Sequence, residues 1–361
     1  MNVTVRKKLI VYFVALENGV KRTYFGGNYT IFNGTAETVT SGLLAALEER
    51  GITMSKVMGF GSDGAAVMMG RKTGVAKRLK DYNPFMINIH CIAHRVALAA
   101  SGAGKEIEKI AKFRQTVNSV YNYFDNSAVR YERLRELNSA LDDNDIVSLK
   151  EPCSVRWLSL TRAVTAIKAN LPALLMELDE DAARGNTQAE GILRQIRQYS
   201  FVALTYSLLD ILPVMDKLNI VFQREDLNLS TIRPMVKSTI ASLDGLLQEM
   251  GEHESQFIDH EMTNNHFKGH ALTYCSQAHR DAHKHVRNEF ITHLQENLRG
   301  RFPDDELSLV EAVDKILNPC RYPDNDRDLN EYGVDALQLL ADHYGLEKTV
   351  DGKVFPAVLN C

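Results

Sequence analysis

Residues 57–100 constrain the fold more than any other stretch. Residues 52–60 read as the approach to a short, buried strand that ends in the small-residue turn Gly59-Phe60-Gly61-Ser62-Asp63-Gly64-Ala65. A helical pattern follows over 65–80, Pro84 introduces a second strand over 85–89, and a further helix begins at Cys91. Strand then helix, repeated within one short stretch, is an α/β order.

The preceding residues add an antiparallel element. Residues 9–16 are uninterruptedly apolar, rich in β-branched and aromatic side chains, and bounded by Asn18-Gly19. That dipeptide after such a run is a strong hairpin signal. Residues 20–25 read as the returning strand, ending at Gly26-Gly27, and 29–32 extend the meander. Arg6-Lys7-Lys8 ahead of the apolar run imitates a secretory signal, but no small-residue cleavage site follows. A buried strand is therefore the better reading of 9–16. Residues 36–51 carry Val39, Leu43, Leu44 and Leu47 at helical spacing with Gly51 as the stop. The hairpin makes the expected sheet a mixed one.

From about residue 105 the periodicity turns helical. Ile107, Ile110, Val117, Val120, Tyr121 and Phe124 share one face. Further helices are predicted over 130–141, 160–178, 201–222 (kinked at Pro213), 235–250, 286–298 and 334–344. Residues 179–187 and 251–270 are expected as flexible loops. A hydrophobic content of 45% supports a sizeable core, and no apolar run approaches the roughly 18 residues of a membrane span. The net charge of −4 excludes a chain that coats nucleic acid with positive charge, leaving only a local basic patch for such contact. Five scattered cysteines do not form a disulfide framework and fit a reducing compartment.

Several motifs bear on chemistry. Gly59-x-Gly61-x-x-Gly64 matches a dinucleotide fingerprint in form, but Asp63 would repel a pyrophosphate from inside that loop. Asp63 itself has two readings. A carboxylate at a strand end in an α/β crevice suits Mg²⁺, whereas an Asp ahead of a helix suits a cap. Cys91-x-x-His94 has zinc-compatible spacing without a second pair, and its default reading is a packed helix start. Eight of the 11 histidines fall between His253 and His293. Cys275, His279 and His283 would share a helix face there; the set reads as a solvated face, with metal binding as the alternative. Arg71, Lys72, Lys77 and Arg78 make the helix after Asp63 basic. Trp157, the single tryptophan, is either a core anchor or a stacking platform for a displaced base, with Arg156 on phosphate.

In order and spacing, Gly61-Ser62-Asp63-Gly64-Ala65, Cys91-Ile92-Ala93-His94-Arg95 and Arg156-Trp157-Leu158-Ser159 resemble the RNase H-like core of hAT-superfamily DNA transposases and of host proteins domesticated from them. Tyr123-Phe124 with Ser127 and Arg130 fits as well, as does the hairpin over 9–25. The resemblance covers about residues 1–250. It implies an RNase H-like mixed sheet over 1–165, N-terminally incomplete, followed by an all-helical insertion region over 166–361.

The family uses three acidic residues to hold two divalent metals for DNA hydrolysis and strand transfer, and Asp63 matches the second. The first belongs to a strand upstream of Met1, and the third has no assigned counterpart. The resemblance thus implies a transposase-derived protein that is catalytically inactive and needs no cofactor, with Asp63 vestigial. Mg²⁺ or Mn²⁺ at Asp63 is expected only if residues outside this chain complete a nuclease site. Arg71, Lys72, Lys77, Arg78, Arg156 and Trp157 are the expected DNA contacts, and Cys91 and His94 structural neighbours of the site. A protein-interaction scaffold built on the helical half is the remaining alternative. The expected location is the nucleus, otherwise the cytoplasm, with no membrane partner.

Overall fold

A computed structural model describes residues 7–18, 20–142, 147–152, 157–224, 227–303, 307–329, 331–345, 348–350 and 353–355. The chain is mixed α/β, 67% helical, with small sheets. It divides into two compact units. The first takes residues 1–95, 224–231 and 304–361; the second takes 96–223 and 232–303.

The first unit opens with strands β1 (Lys7–Glu17) and β2 (Val20–Ile31), paired antiparallel from Lys7↔Ile31 to Glu17↔Val20. Asn18 takes a left-handed φ of 52° at the turn. The returning strand does not stop at Gly26-Gly27, because the extra residue is absorbed as a bulge opposite Val11 and Tyr12 and pairing resumes to Ile31. Nor is β1 a buried strand. Val11 is buried, but Ile10, Tyr12, Val14 and Leu16 are exposed. Among the described residues the sheet has two strands, and helix α1 (Ala36–Glu48) packs against both. Thr35 caps α1 by accepting from the Thr38 N–H. At its far end the Ile52 N–H reaches back to the Leu47 carbonyl at 3.0 Å, the wrap that Gly51 allows.

Strand β3 (Gly59–Ser62) follows, then α2 (Ala66–Met69), α3 (Val75–Tyr82), β4 (Ile87–His90) and α4 (Ile92–Glu106). β3 and β4 pair parallel, Gly59↔Ile87 through Ser62↔His90. The single helix expected over 65–80 is two. Its chain folds tightly at Gly70 and Gly74, where an added Cβ would lie 2.4 Å from the Ala66 carbonyl oxygen and 2.5 Å from the Gly70 nitrogen. β3 is half exposed rather than buried. Val39, Val75, Leu79 and Met86 form a buried cluster against which Leu9 and Ile31 of the hairpin and Phe60 of β3 all pack. The hairpin and the parallel pair thus share a core, yet among the described residues they remain two separate two-stranded sheets and not one mixed sheet.

The second unit contains α5 (Glu108–Asp125), α6 (Ala128–Asp142), α7 (Trp157–Ala183), α8 (Thr187–Ile196), α9 (Tyr199–Phe222), α10 (Ile232–Gln248) and α11 (Glu252–Gln256). Strands β5 (Met262–Thr263), β6 (His266–Phe267) and β7 (His270–Ala271) precede α12 (Gln277–Arg301). Helix α9 is buried on nearly every side and packs against α7, α8, α10, α11 and α12. Both segments expected as loops are ordered. Residues 179–187 are the end of α7 and a turn in which Asn186 caps α8, accepting from the Gln188 and Ala189 N–H groups at 3.1 Å. Residues 251–270 hold α11, one π-helical turn and the small antiparallel sheet, anchored by the fully buried Phe257 and Phe267. Asn264-Asn265 and Lys268-Gly269 supply paired positive φ angles for its two hairpin turns.

The chain then returns to the first unit with α13 (Ser308–Leu317), α14 (Asp326–Leu329), α15 (Val334–Tyr344) and a hairpin of β8 (Lys348–Val350) and β9 (Lys353–Phe355). The region expected to be wholly helical therefore carries two small sheets. No helix among the described residues is long and apolar enough to cross a membrane.

Candidate functional site

The parallel register of β3 and β4 decides what lies beside Asp63. It sets Ser62 opposite His90, and the Cys91 N–H donates to the Ser62 carbonyl at 2.6 Å. The turn after β3 and the start of α4 thereby abut. Gly64 is the point of closest approach, since a Cβ there would fall 2.2 Å from Cε1 of His90. Only a residue without a side chain lets the imidazole seat on the turn. His90 and His94 stack obliquely with ring centroids 5.5 Å apart, while Cys91 is exposed and His94 half-buried. The residues on either side of Asp63, Ser62 and Gly64, thus meet Cys91 and His90 respectively.

The Asp63 side chain acts as a turn cap. Its Oδ1 accepts the Ala65 N–H at 3.1 Å, and the Ser62 hydroxyl donates to the Asp63 carbonyl at 3.0 Å. The residue is exposed. Among the described residues no three His, Cys, Asp or Glu side chains are grouped so as to hold one metal ion. The four basic residues divide in two. Lys77 pairs with Asp81 one helical turn on, and Arg78 donates from Nε to the Thr73 carbonyl at 3.1 Å, fixing the turn between α2 and α3. Arg71 and Lys72 stand exposed on that turn and make no ion pair among the described residues. Arg156 lies outside the described residues, as does the side chain of Trp157.

Two buried polar clusters in the second unit were not legible as sites. In one, the Tyr123 hydroxyl donates to Asp181 Oδ2 at 2.6 Å and accepts from Asn186 Nδ2 at 3.0 Å. Arg133 pairs with both Asp181, at 3.1 Å, and Glu177, at 2.9 Å, and the Arg130 guanidinium lies 4.1 Å from the Tyr123 ring centre. Burial, with help from Asp181, pushes the Tyr123 phenol up to about 12. Burial also works to raise Asp181, but the Tyr123 hydrogen bond and the Arg133 and Arg184 charges outweigh it, and its carboxyl is held below the ordinary range. Tyr123, Ser127 and Arg130 belong to this one cluster, and the Ser127 hydroxyl accepts the Arg130 N–H at 3.4 Å.

The other cluster corrects the reading of the histidine-rich segment as a solvated face at one position, for His260, His266, His279 and His285 are exposed but His283 is not. His283 is buried, with Nε2 3.1 Å from the Ser207 hydroxyl and 3.4 Å from Glu254 Oε1. Glu254 Oε2 accepts from Arg287 Nε at 2.6 Å, and Arg287 Nη2 donates to the Leu246 and Glu249 carbonyls at the end of α10. Asp210 accepts the N–H groups of His253 and Glu254, both at 3.0 Å, and so holds the start of α11. Cys275 lies ahead of the α12 cap, Ser276, so it does not share a helix face with His279 and His283. Instead His279 Nδ1 meets the Ser276 hydroxyl at 2.6 Å. A cavity of about 360 Å³ opens beside His283, floored by Phe113, Phe201 and Leu204 and edged by Lys109 and Lys112. A histidine-rich composition hid a structural ion pair, because helical spacing alone does not reveal which side α9 covers.

No protein-family model matches the chain.

Proposed function

We propose that this chain derives from a hAT-superfamily DNA transposase, with an N-terminally incomplete RNase H-like core over residues 1–165, and that it contacts DNA in the nucleus without carrying out metal-dependent strand transfer. The observation that supports this reading best is the parallel β3/β4 pair. It seats the Asp63 turn against the His90–Arg95 segment, and those are the two motifs the resemblance groups around one site. Two-metal chemistry requires several carboxylates around one pair of ions. The Asp63 carboxylate accepts the Ala65 N–H here, as a turn cap does. If acidic residues from elsewhere join it, Mg²⁺ or Mn²⁺ is the ion that this oxygen donor suits.

DNA contact falls to Arg71 and Lys72, exposed on the turn that follows Asp63. Binding of a fluorescent duplex, followed by anisotropy from about 50 to 200 mM salt, tests the proposal. The reading expects affinity that falls with salt. Arg71→Glu with Lys72→Glu should weaken it at least tenfold and flatten the log–log slope by about 2. Undetectable binding at low salt refutes DNA contact. Mn²⁺-dependent strand cleavage lost in Asp63→Ala refutes the inactive assignment.

A further inference from the structure

We propose that the cavity beside His283 binds a small aromatic anion that also carries a hydroxyl or N–H donor. The space of about 360 Å³ falls within the range of small-molecule sites and cannot take a partner's helix, which is about 10 Å across. It lies wholly within the second unit, between α5, α8, α9 and α12. Its floor is aromatic: Phe113 of α5 and Phe201 of α9 pack with ring centroids 4.9 Å apart, beside Leu204. A planar ring laid on such a floor gains stacking or edge-on contact. Lys109 and Lys112 stand at the edge, both exposed and neither in an ion pair among the described residues. Among the described residues no Asp or Glu lines the cavity. Two ammonium groups without a counter-charge, at the edge of an apolar space, select a negative head.

His283 adds a second, independent mark. It is 7% exposed and lines the cavity. Its Nε2 is 3.1 Å from the Ser207 hydroxyl and 3.4 Å from Glu254 Oε1. The Ser207 hydroxyl donates to the Ala203 carbonyl at 3.1 Å, and an ionised Glu254 only accepts, so Nε2 carries a proton. Nδ1 of the neutral ring is then an acceptor. It has no partner among the described residues, and on a side chain otherwise enclosed it is an atom that solvent reaches. A hydroxyl or N–H of a ligand held in the cavity has this acceptor to meet. A carboxylate would face a lone pair there, which sends the anionic head to Lys109 and Lys112 instead. The ligand therefore has its charge at one end, its donor at another and rings between. This site does not depend on the transposase reading.

Anilinonaphthalene sulfonate has the required parts, fused rings, one negative charge and one N–H, and it fluoresces on leaving water. Full-length wild type should bind it with saturation at one molecule per chain. Lys109→Glu with Lys112→Glu, both at exposed positions, should weaken that binding roughly fivefold or more. The same variant should leave unchanged the binding of phenylnaphthylamine, the skeleton without its sulfonate. Ser200→Trp, exposed at the start of α9 and on the cavity wall, should remove binding of both probes while keeping the wild-type circular dichroism. A naphthoate with a hydroxyl on its far ring should displace the sulfonate roughly threefold better than the same naphthoate without it. Unsaturable binding, binding that survives Ser200→Trp, or a lysine variant that keeps its affinity or weakens both probes alike overturns the site. Equal displacement by the two naphthoates overturns the role of His283, and decanoate displacing the probe as well as the hydroxynaphthoate overturns the aromatic assignment.

Discussion

Replacing Arg287 with alanine would leave Glu254 as a carboxylate 4% exposed, with the His283 imidazole, 3.4 Å away, as its remaining side-chain partner there. The wild-type pair meets at 2.6 Å, and both side chains are almost fully enclosed. Removing one member of a buried pair costs about 3–5 kcal/mol, since the other charge stays desolvated. The Leu246 and Glu249 carbonyls lose a donor as well, adding about 1 kcal/mol. Substituting both partners, Glu254→Gln with Arg287→Met, removes the stranded charge and should restore about 2 kcal/mol or more of that loss. Urea unfolding followed by far-ultraviolet circular dichroism measures this. With a slope of about 2–3 kcal/mol per molar urea, a 4 kcal/mol loss shifts a midpoint by about 1.5 M. The chain has two compact units, so two transitions should be fitted and only one should move. Burial by itself would raise the Glu254 pKa, but the His283 hydrogen bond and the charges of Arg287 and His283 outweigh burial and hold it low. Its stabilisation is therefore complete above the unfolded carboxyl value of about 4.3 and is lost as pH falls through the lower folded value. In Arg287→Ala burial is less opposed, and the variant should recover relative stability as pH falls from 7 towards 5. A midpoint shift under about 0.3 M, or a double variant no more stable than the single, would refute the reasoning.

Two further outcomes are expected. Tyr123→Phe removes the hydrogen bond to the buried Asp181 and should cost about 1–3 kcal/mol by the same unfolding assay. Because the wild-type phenol is pushed up to about 12, its contribution should fade as pH rises from 10 through 12, a decline absent from the variant. Gly64→Ala drives a methyl into the His90 ring and should destabilise the first unit by about 1–3 kcal/mol in a thermal melt, with His90→Ala in the same chain relieving most of the loss.

The secondary structure was most legible where a local rule acts alone. The Asn18-Gly19 hairpin, the stop at Gly51 and the strand ahead of Asp63 all follow from short-range chemistry, and each forms. The extent of burial was less legible, because it depends on how many strands a sheet gathers; β1 and β3 read as buried and are half open. The helix over 65–80 split because two glycines four residues apart satisfy helical spacing and also permit a tight fold. In residues 251–270, a polar and histidine-rich composition masked Phe257 and Phe267, although the Asn264-Asn265 pair was a readable turn signal. At the candidate site, the parallel pairing that brings Ser62 beside His90 follows from the strand–helix–strand order. The part played by Asp63 was not legible, since a cap and a ligand require the same residue at the same strand end.

Helix α9 carries an implication for biosynthesis. Its apolar surface is covered from two directions in the sequence: α7 and α8 precede it, while α10, α11 and α12 follow. A chain emerging from the ribosome as far as Phe222 has made only half of that enclosure, and a helix apolar on all sides is poorly soluble until enclosed. Between α9 and α10 the chain also leaves the second unit for residues 224–231, which pack with the first. Vectorial folding of the second unit must therefore wait for α12, leaving an interval in which a chaperone that recognises apolar helices has a substrate and a premature stop codon produces an aggregating chain.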